Sequence, residues 1–274
     1  MKNKIIVIIV VFTAVLFHSC QDVVDIPLNT DQPRLVIDAS IIWQKGTPGN
    51  NQVVKLSKTT DFYTNTIPVV SGATVYLKNS ANVVFNFTET PNTGIYFCST
   101  FIPILDETYT LTVIANGQTY TATETLKSVA AITSVTQELQ TGLGTDFLKL
   151  KTFFNDPADA ENYYLYKYKF TKNLKPEYSV DDDHYFQGNT FFSLVLEKDT
   201  KPGDQVEITH YGVSKSYYNY MSILLNVAGN SGGGPFQSPP ATVRGNIKNI
   251  SNFDNYPLGY FRVSEADVTN YTIQ

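Results

Sequence analysis

The stretch Thr108-Tyr109-Thr110-Leu111-Thr112-Val113-Ile114-Ala115-Asn116-Gly117-Gln118-Thr119-Tyr120-Thr121-Ala122-Thr123-Glu124-Thr125 alternates apolar and polar side chains on both sides of Asn116-Gly117. A strand sends successive side chains to opposite faces. Tyr109, Leu111 and Val113, then Tyr120 and Ala122, are therefore predicted to line one face of a sheet, with threonines on the other. Asn-Gly tolerates positive φ at both centres of a type I′ turn, whose twist matches the strands it joins. The segment reads as a two-residue β-hairpin and sets an all-β frame for its surroundings.

Working outward, strands are predicted over Leu35 to Ile42, Gln52 to Ser57, Ala73 to Lys78 and Val83 to Phe87, with another starting at Ile95 after Gly94. Loops rich in Gly, Pro and Asn separate them, at 45–51 and 61–68, and no helical period intervenes. Six or seven short strands in about ninety residues predict a β-sandwich, placed at 33–127. The second half, 128–274, is predicted to be a further β-rich domain. Its strands are Ile132 to Leu139, Phe147 to Phe154, Asn162 to Tyr168, Phe191 to Leu196, Val206 to Tyr211 and Leu258 to Val263, with Asp181 to His184 as an acidic turn. One packed helix is predicted near 214–228. Ser214 can cap it, and Tyr217, Tyr220, Met221, Leu224, Leu225 and Ala228 fall at three- and four-residue spacings. Residues 229–240 form a Gly/Pro-rich loop carrying Phe236.

The N-terminus is of another kind. Lys2 and Lys4 precede an apolar run from Ile5 to Phe17, which ends at Ser19 directly before Cys20. The run falls short of the roughly 20 residues a membrane-spanning helix needs. Residues 1–19 are predicted to be a lipoprotein signal peptide, with Cys20 as the acylated anchor and 20–32 as a tether. The formal charge is −5, and setting aside the two lysines of residues 1–19 makes the remainder −7. That argues against a nucleic-acid partner, which calls for a basic face. With Cys20 acylated, Cys98 has no disulfide partner and reads as a small buried hydrophobe.

Candidate chemistry is sparse. His184 and His210 are the histidines beyond residue 19, and no Gly-x-Ser-x-Gly elbow accompanies them, so no catalytic residue, enzyme activity or cofactor is expected. Asp181, Asp183 and His184 are candidate metal ligands by type, because clustered carboxylates are hard oxygen donors. They lack the spacing and glycine of a calcium loop, so a solvated turn and no metal is the expectation. Trp43, Tyr163, Tyr164 and Phe236 are candidate partner or ligand contacts. Exposed aromatic rings can stack on sugars or anchor an interface. The competing reading of the tyrosines at 163, 164, 166 and 168 is burial in the core, favoured on composition.

As an ordered series, Asp25-Ile26-Pro27, Pro33-Arg34-Leu35-Val36-Ile37-Asp38, Val54-Lys55-Leu56-Ser57, Gly72-Ala73-Thr74-Val75, Gly94-Ile95-Tyr96, Asp156-Pro157, Asn162-Tyr163-Tyr164, Pro239-Pro240-Ala241, Gly245-Asn246-Ile247 and Leu258-Gly259-Tyr260-Phe261 resemble a family of Bacteroidota lipoproteins known as a domain of unknown function. Its members often lie beside SusC-like TonB-dependent receptors. Gly72 to Tyr120 is similar to the transthyretin-like sandwich of carboxypeptidase regulatory domains, so an immunoglobulin-like or transthyretin-like N-terminal sandwich is the expected fold. The resemblance implies an outer-membrane lipoprotein facing the cell exterior. It would be anchored in the membrane through Cys20 and act as an accessory or binding subunit of a TonB-dependent nutrient-uptake complex, with a nutrient ligand. A standalone surface adhesin or carbohydrate-binding lipoprotein is the alternative.

Overall fold

The protein is mainly strand. The structure is a computed structural model and describes residues 32–61, 64, 66–142, 145–229 and 243–274. In chain order the elements are β1 (Leu35–Gln44), β2 (Gln52–Lys58), β3 (Thr74–Asn79), β4 (Val84–Thr90), β5 (Ile95–Cys98), β6 (Thr108–Ala115), β7 (Gln118–Thr125), β8 (Ile132–Gly142), β9 (Thr145–Asn155), β10 (Tyr163–Phe170), β11 (Glu177–Asp182), β12 (Thr190–Lys198), β13 (Gln205–Val213), α1 (Lys215–Gly229), β14 (Lys248–Asn249) and β15 (Leu258–Thr272). A 12-stranded sheet runs in the order β11-β10-β13-β15-β1-β2-β5-β4-β3-β6-β7-β14, and a 3-stranded sheet in the order β12-β9-β8.

The hairpin forms as read. Ala115 pairs with Gln118 across a turn in which Asn116 and Gly117 have φ of 51° and 72°, the two positive values of a type I′ turn. Tyr109, Leu111, Val113, Tyr120 and Ala122 are all buried. β4 closes the sandwich around them, because Val84 to Phe87 pair with β3 whereas Thr88 to Thr90 pair with β5. A strand that changes partners along its length makes a corner and folds a sheet onto itself. The core this encloses joins Ile37, Ile41, Leu56 and Tyr96 to Val75, Leu77, Leu111 and Val113. Cys98 sits in it at 2 % exposure.

In the second half, β10 is covered on both sides. Tyr164, Tyr166, Tyr168 and Phe170 face Leu148, Leu150, Phe154 and Val195 of the smaller sheet. Leu165 on the opposite face packs with Tyr211, Tyr260 and the α1 residues Tyr217 and Met221. A strand buried on both faces needs apolar or aromatic groups at consecutive positions, which accounts for Tyr163-Tyr164-Leu165-Tyr166. α1 begins where expected: the Tyr217 amide donates to the Ser214 hydroxyl at 3.1 Å, and that hydroxyl donates to Glu124 at 3.0 Å.

Three features depart from the sequence reading. Glu177–Asp182 is an edge strand paired with β10, so Asp181 and Asp182 end a strand and the turn starts at Asp183. Lys248–Asn249 adds a short edge strand beside β7. β15 continues nine residues past the expected end at Val263 and lies between β1, to which it is parallel, and β13. Its polar continuation is put to use: Glu265 accepts the Val129 amide at 2.9 Å and Asp267 accepts the Ile132 amide at 2.7 Å. Where the sequence divides the chain at 127/128, residues 33–274 cluster as one compact unit. Phe261 and Val263 complete the first core, and Ile273 enters the second.

Candidate functional site

The start of β10, the end of β11 and the first turns of α1 frame a cleft of about 480 Å³, lined by Glu161, Tyr163, Asp182, Asp183, His184, Tyr185, Gln187, Lys215, Tyr218 and Asn219. Each wall is set by local structure. β10 pairs Tyr163 with Asp182, which puts an aromatic ring and a carboxylate side by side at the sheet edge. The Ser214 cap aims the first turn of α1 at the same point, so Lys215 and Tyr218 reach across. The rings of Tyr163 and Tyr218 lie 5.3 Å apart, and the Lys215 ammonium sits 5.5 Å from the centre of the Tyr163 ring. Tyr163 donates to Glu161 at 3.0 Å and Tyr218 to Asp182 at 2.9 Å. Tyr163 first, with Glu161 beside it, holds the Lys215 pKa above its ordinary value. Burial raises the Tyr218 hydroxyl, with Asp182 adding to the shift, and both groups stay protonated at neutral pH.

At the mouth, Tyr185 is 93 % exposed and meets the His184 ring edge-on at 4.6 Å. The cleft therefore offers aromatic faces next to carboxylate, amide and ammonium groups, open to solvent. Groups of these types can hold a polar molecule with an apolar face through stacking and hydrogen bonds. Burial, with Asp182 adjacent, pushes Asp181 up to about 6.

Among the sequence candidates, the structure brings Tyr163, Asp183 and His184 together here. Asp183 is 3 % exposed, and its carboxylate accepts the Asn162 amide at 2.7 Å, a bond that fixes the chain entering β10. Among the described residues no group of three His, Cys, Asp and Glu side chains is placed to hold a metal ion. Tyr164 points away from the cleft. It is 1 % exposed and donates to the buried Asp156 at 2.5 Å, because neighbouring strand positions face opposite sides; as a surface contact it is corrected to a core residue. Trp43, at the far end of β1, is half-buried against the first core, its indole donating to the Thr47 carbonyl at 2.9 Å. Cys20 and Phe236, with the signal segment 1–19, the tether up to residue 31 and most of the loop at 229–240, lie outside the described residues. Sequence reading missed Tyr185, Lys215, Tyr218 and Asn219. Their signal was the polar side of the predicted helix and the aromatic residue following the acidic run.

No curated protein matches the chain. Among solved structures, two fibronectin type III domains of chicken tenascin are similar at 10 % identity, covering 66 % of this chain and 91 % of that one, with a TM-score of 0.21. A DUF4785 family protein from Legionella pneumophila is similar at 12 % identity, over 65 % of this chain and 52 % of that one, with a TM-score of 0.26. At such scores neither likeness bears on function. A family described as a domain of unknown function, DUF4249, matches residues 21–270. That match takes in every described element except the last residues of β15, and the chain belongs to the DUF4249 family.

Proposed function

We propose that the protein is a lipid-anchored binding subunit. Acylated Cys20 would hold it at the outer membrane facing the cell exterior, where it assists a TonB-dependent receptor in capturing a nutrient. The cleft of Tyr163, Tyr185 and Tyr218 beside Asp182, Lys215 and Asn219 supports this reading, since open aromatic faces next to charged and amide groups suit reversible capture. Tethering supplies the mechanism: a binder confined to the membrane plane is held at high effective concentration beside the receptor, without any direct catalytic contribution.

The test is an affinity pull-down of full-length tagged protein from outer membranes in mild detergent, with Cys20→Ala as control. Stoichiometric recovery of one TonB-dependent β-barrel with the wild type, lost with Cys20→Ala, is the expected result. Recovery of the lipoprotein alone would sink the subunit reading. A second reading, a standalone carbohydrate-binding adhesin, is favoured by the almost fully exposed Tyr185 ring at the cleft mouth. It predicts glycan binding by the purified protein that Tyr163→Ala and Tyr185→Ala both weaken at least about tenfold, the scale of one stacking contact.

A further inference from the structure

The charges around the cleft are unequal. Three carboxylates line it, Glu161, Asp182 and Asp183, against one ammonium, Lys215. Lys215 lies on the Glu161 side, its Nζ 3.8 Å from that carboxylate and 5.5 Å from the centre of the Tyr163 ring, with 67 % of its side chain exposed. Among the described residues Asp182 and Asp183 form no ion pair. Asp182 accepts the Tyr218 hydroxyl at 2.9 Å through one oxygen and the His184 backbone amide at 3.1 Å through the other, both neutral donors. Asp183, 3 % exposed, accepts the Asn162 backbone amide at 2.7 Å and the Asn162 carboxamide at 3.4 Å. A cleft whose charge is of one sign, between walls of low dielectric, concentrates counter-ions of the other.

Aromatic faces stand beside these carboxylates. The Tyr163 and Tyr218 rings form a V, their centres 5.3 Å apart and their planes at 47°, and Tyr185 projects at the mouth. A ring offers a cation the negative face of its quadrupole. The same rings would stack on a sugar, so the carboxylates make the choice. An anion would enter against three of them, and a neutral ligand would leave Asp182 and Asp183 uncompensated. One positive charge is already favoured here, because Tyr163 first, then Glu161, with Asp182 adding less, hold the Lys215 pKa above its ordinary value.

We infer that the ligand of this cleft is an organic cation, an ammonium or guanidinium on an apolar body, which seats between the Tyr163 and Tyr218 rings against Asp182 and displaces Lys215. The inference rests on reading the cleft as the binding site. A solvated ammonium on a flexible four-carbon stem leaves for water readily. A volume of about 480 Å³ takes a small amine or one basic side chain of a peptide, and both present the same group.

The experiment titrates the full-length protein in non-ionic detergent, by calorimetry, with three probes that share one ring and differ in charge. They are benzylammonium, benzyl alcohol and benzoate, each corrected for uptake by protein-free micelles. Benzylammonium should bind at least about tenfold more tightly than benzyl alcohol, with benzoate weakest. Asp182→Asn, which keeps an acceptor for Tyr218, should erase that preference. Lys215→Met should tighten benzylammonium roughly three- to tenfold, since it frees the Tyr163 face and removes a like charge; a merely structural lysine would give no gain. Should Asp182→Asn fail to fold, Glu161→Gln, on an exposed side chain, is read in its place. A lysine tripeptide with blocked termini separates the two sources: binding tighter than benzylammonium marks a peptide side chain, and weaker binding a free amine. Benzyl alcohol or benzoate binding as tightly as benzylammonium, and lost in Tyr163→Ala, would overturn the inference and leave the cleft as a binding site. If Tyr163→Ala altered the binding of no probe, the cleft reading and the inference would fall together.

Discussion

His210 is a polar side chain poorly accommodated in the core. It is 1 % exposed, its ring lies 4.5 Å from Phe154 and 4.7 Å from Tyr164, and it stacks on Tyr166 at 4.9 Å. The Ala130 backbone is near, yet neither ring nitrogen reaches hydrogen-bonding geometry. Burial pushes its pKa down from 6.5 to about 3. The folded protein thus keeps the ring neutral where the unfolded chain would protonate it. Its contribution to stability is whole above pH 6.5 and is lost as pH falls toward 3. At about 1.4 kcal/mol per pKa unit, roughly 2–3 kcal/mol should go between pH 7.5 and 4.5. In urea melts, His210→Leu should gain on wild type by about that amount over the same interval, its other acidic losses being shared. Parallel losses would show that the ring titrates normally. The adjacent tyrosines separate binding from folding in the same way. Tyr164→Phe strips a partner from buried Asp156 and should cost about 1–3 kcal/mol of stability without touching ligand affinity. Tyr163→Ala should do the reverse. If both variants altered only stability, the cleft would not be the binding site.

At the scale of elements, two glycines report on different constraints. Gly117 has φ of 72° with open space where a Cβ would stand, so Gly117→Ala costs only the left-handed backbone, about 1 kcal/mol. Gly94 has φ of 65°, and an added Cβ would lie 2.4 Å from the Leu56 carbonyl oxygen, to whose strand the Gly94 carbonyl is also bonded. Gly94→Ala must shift β2 or β5 and should cost two or three times as much by thermal or denaturant melts, on the order of 2–3 kcal/mol. Equal effects would mean that the β5 entry yields freely. The same contrast between local and distant causes explains what was legible in the sequence. The hairpin and the Ser214-capped helix depend on residues a few positions apart, and both could be read. β11 could not, because its half-exposed residues, Ser179 to Asp182, owe their strand to pairing with β10. The end of β15 was hidden because Ser264, Glu265 and Asp267 break the apolar pattern, and their partners at 127–132 lie more than a hundred residues away. The cleft was half legible for the same reason: Tyr163 and the acidic run stand out as sequence, whereas Tyr218 joins them only once α1 is docked.

For the molecule as a whole, β15 decides whether the two halves stand or fall together. It pairs over nine positions with β1 and over seven with β13, and through Glu265 and Asp267 it binds the segment that links the halves. Glu124 of β7 adds a second tie by accepting the Ser214 cap of α1, so the helix over one core is fixed by a strand of the other. Neither core is complete without residues 258–274, since Phe261 and Val263 belong to the first and Ile273 to the second. Unfolding should therefore be cooperative across residues 33–274, with one calorimetric transition. Phe261→Ala tests this most sharply. The side chain is fully buried in the first core, and its loss should cost about 3–5 kcal/mol. If β15 couples the halves, amide exchange should quicken as much in β10, on the far side of the sheet, as in β6. A variant in which β6 amides exchange faster while β10 keeps its protection, or a thermogram split in two, would establish that each half unfolds alone and that the shared strand is a contact between them.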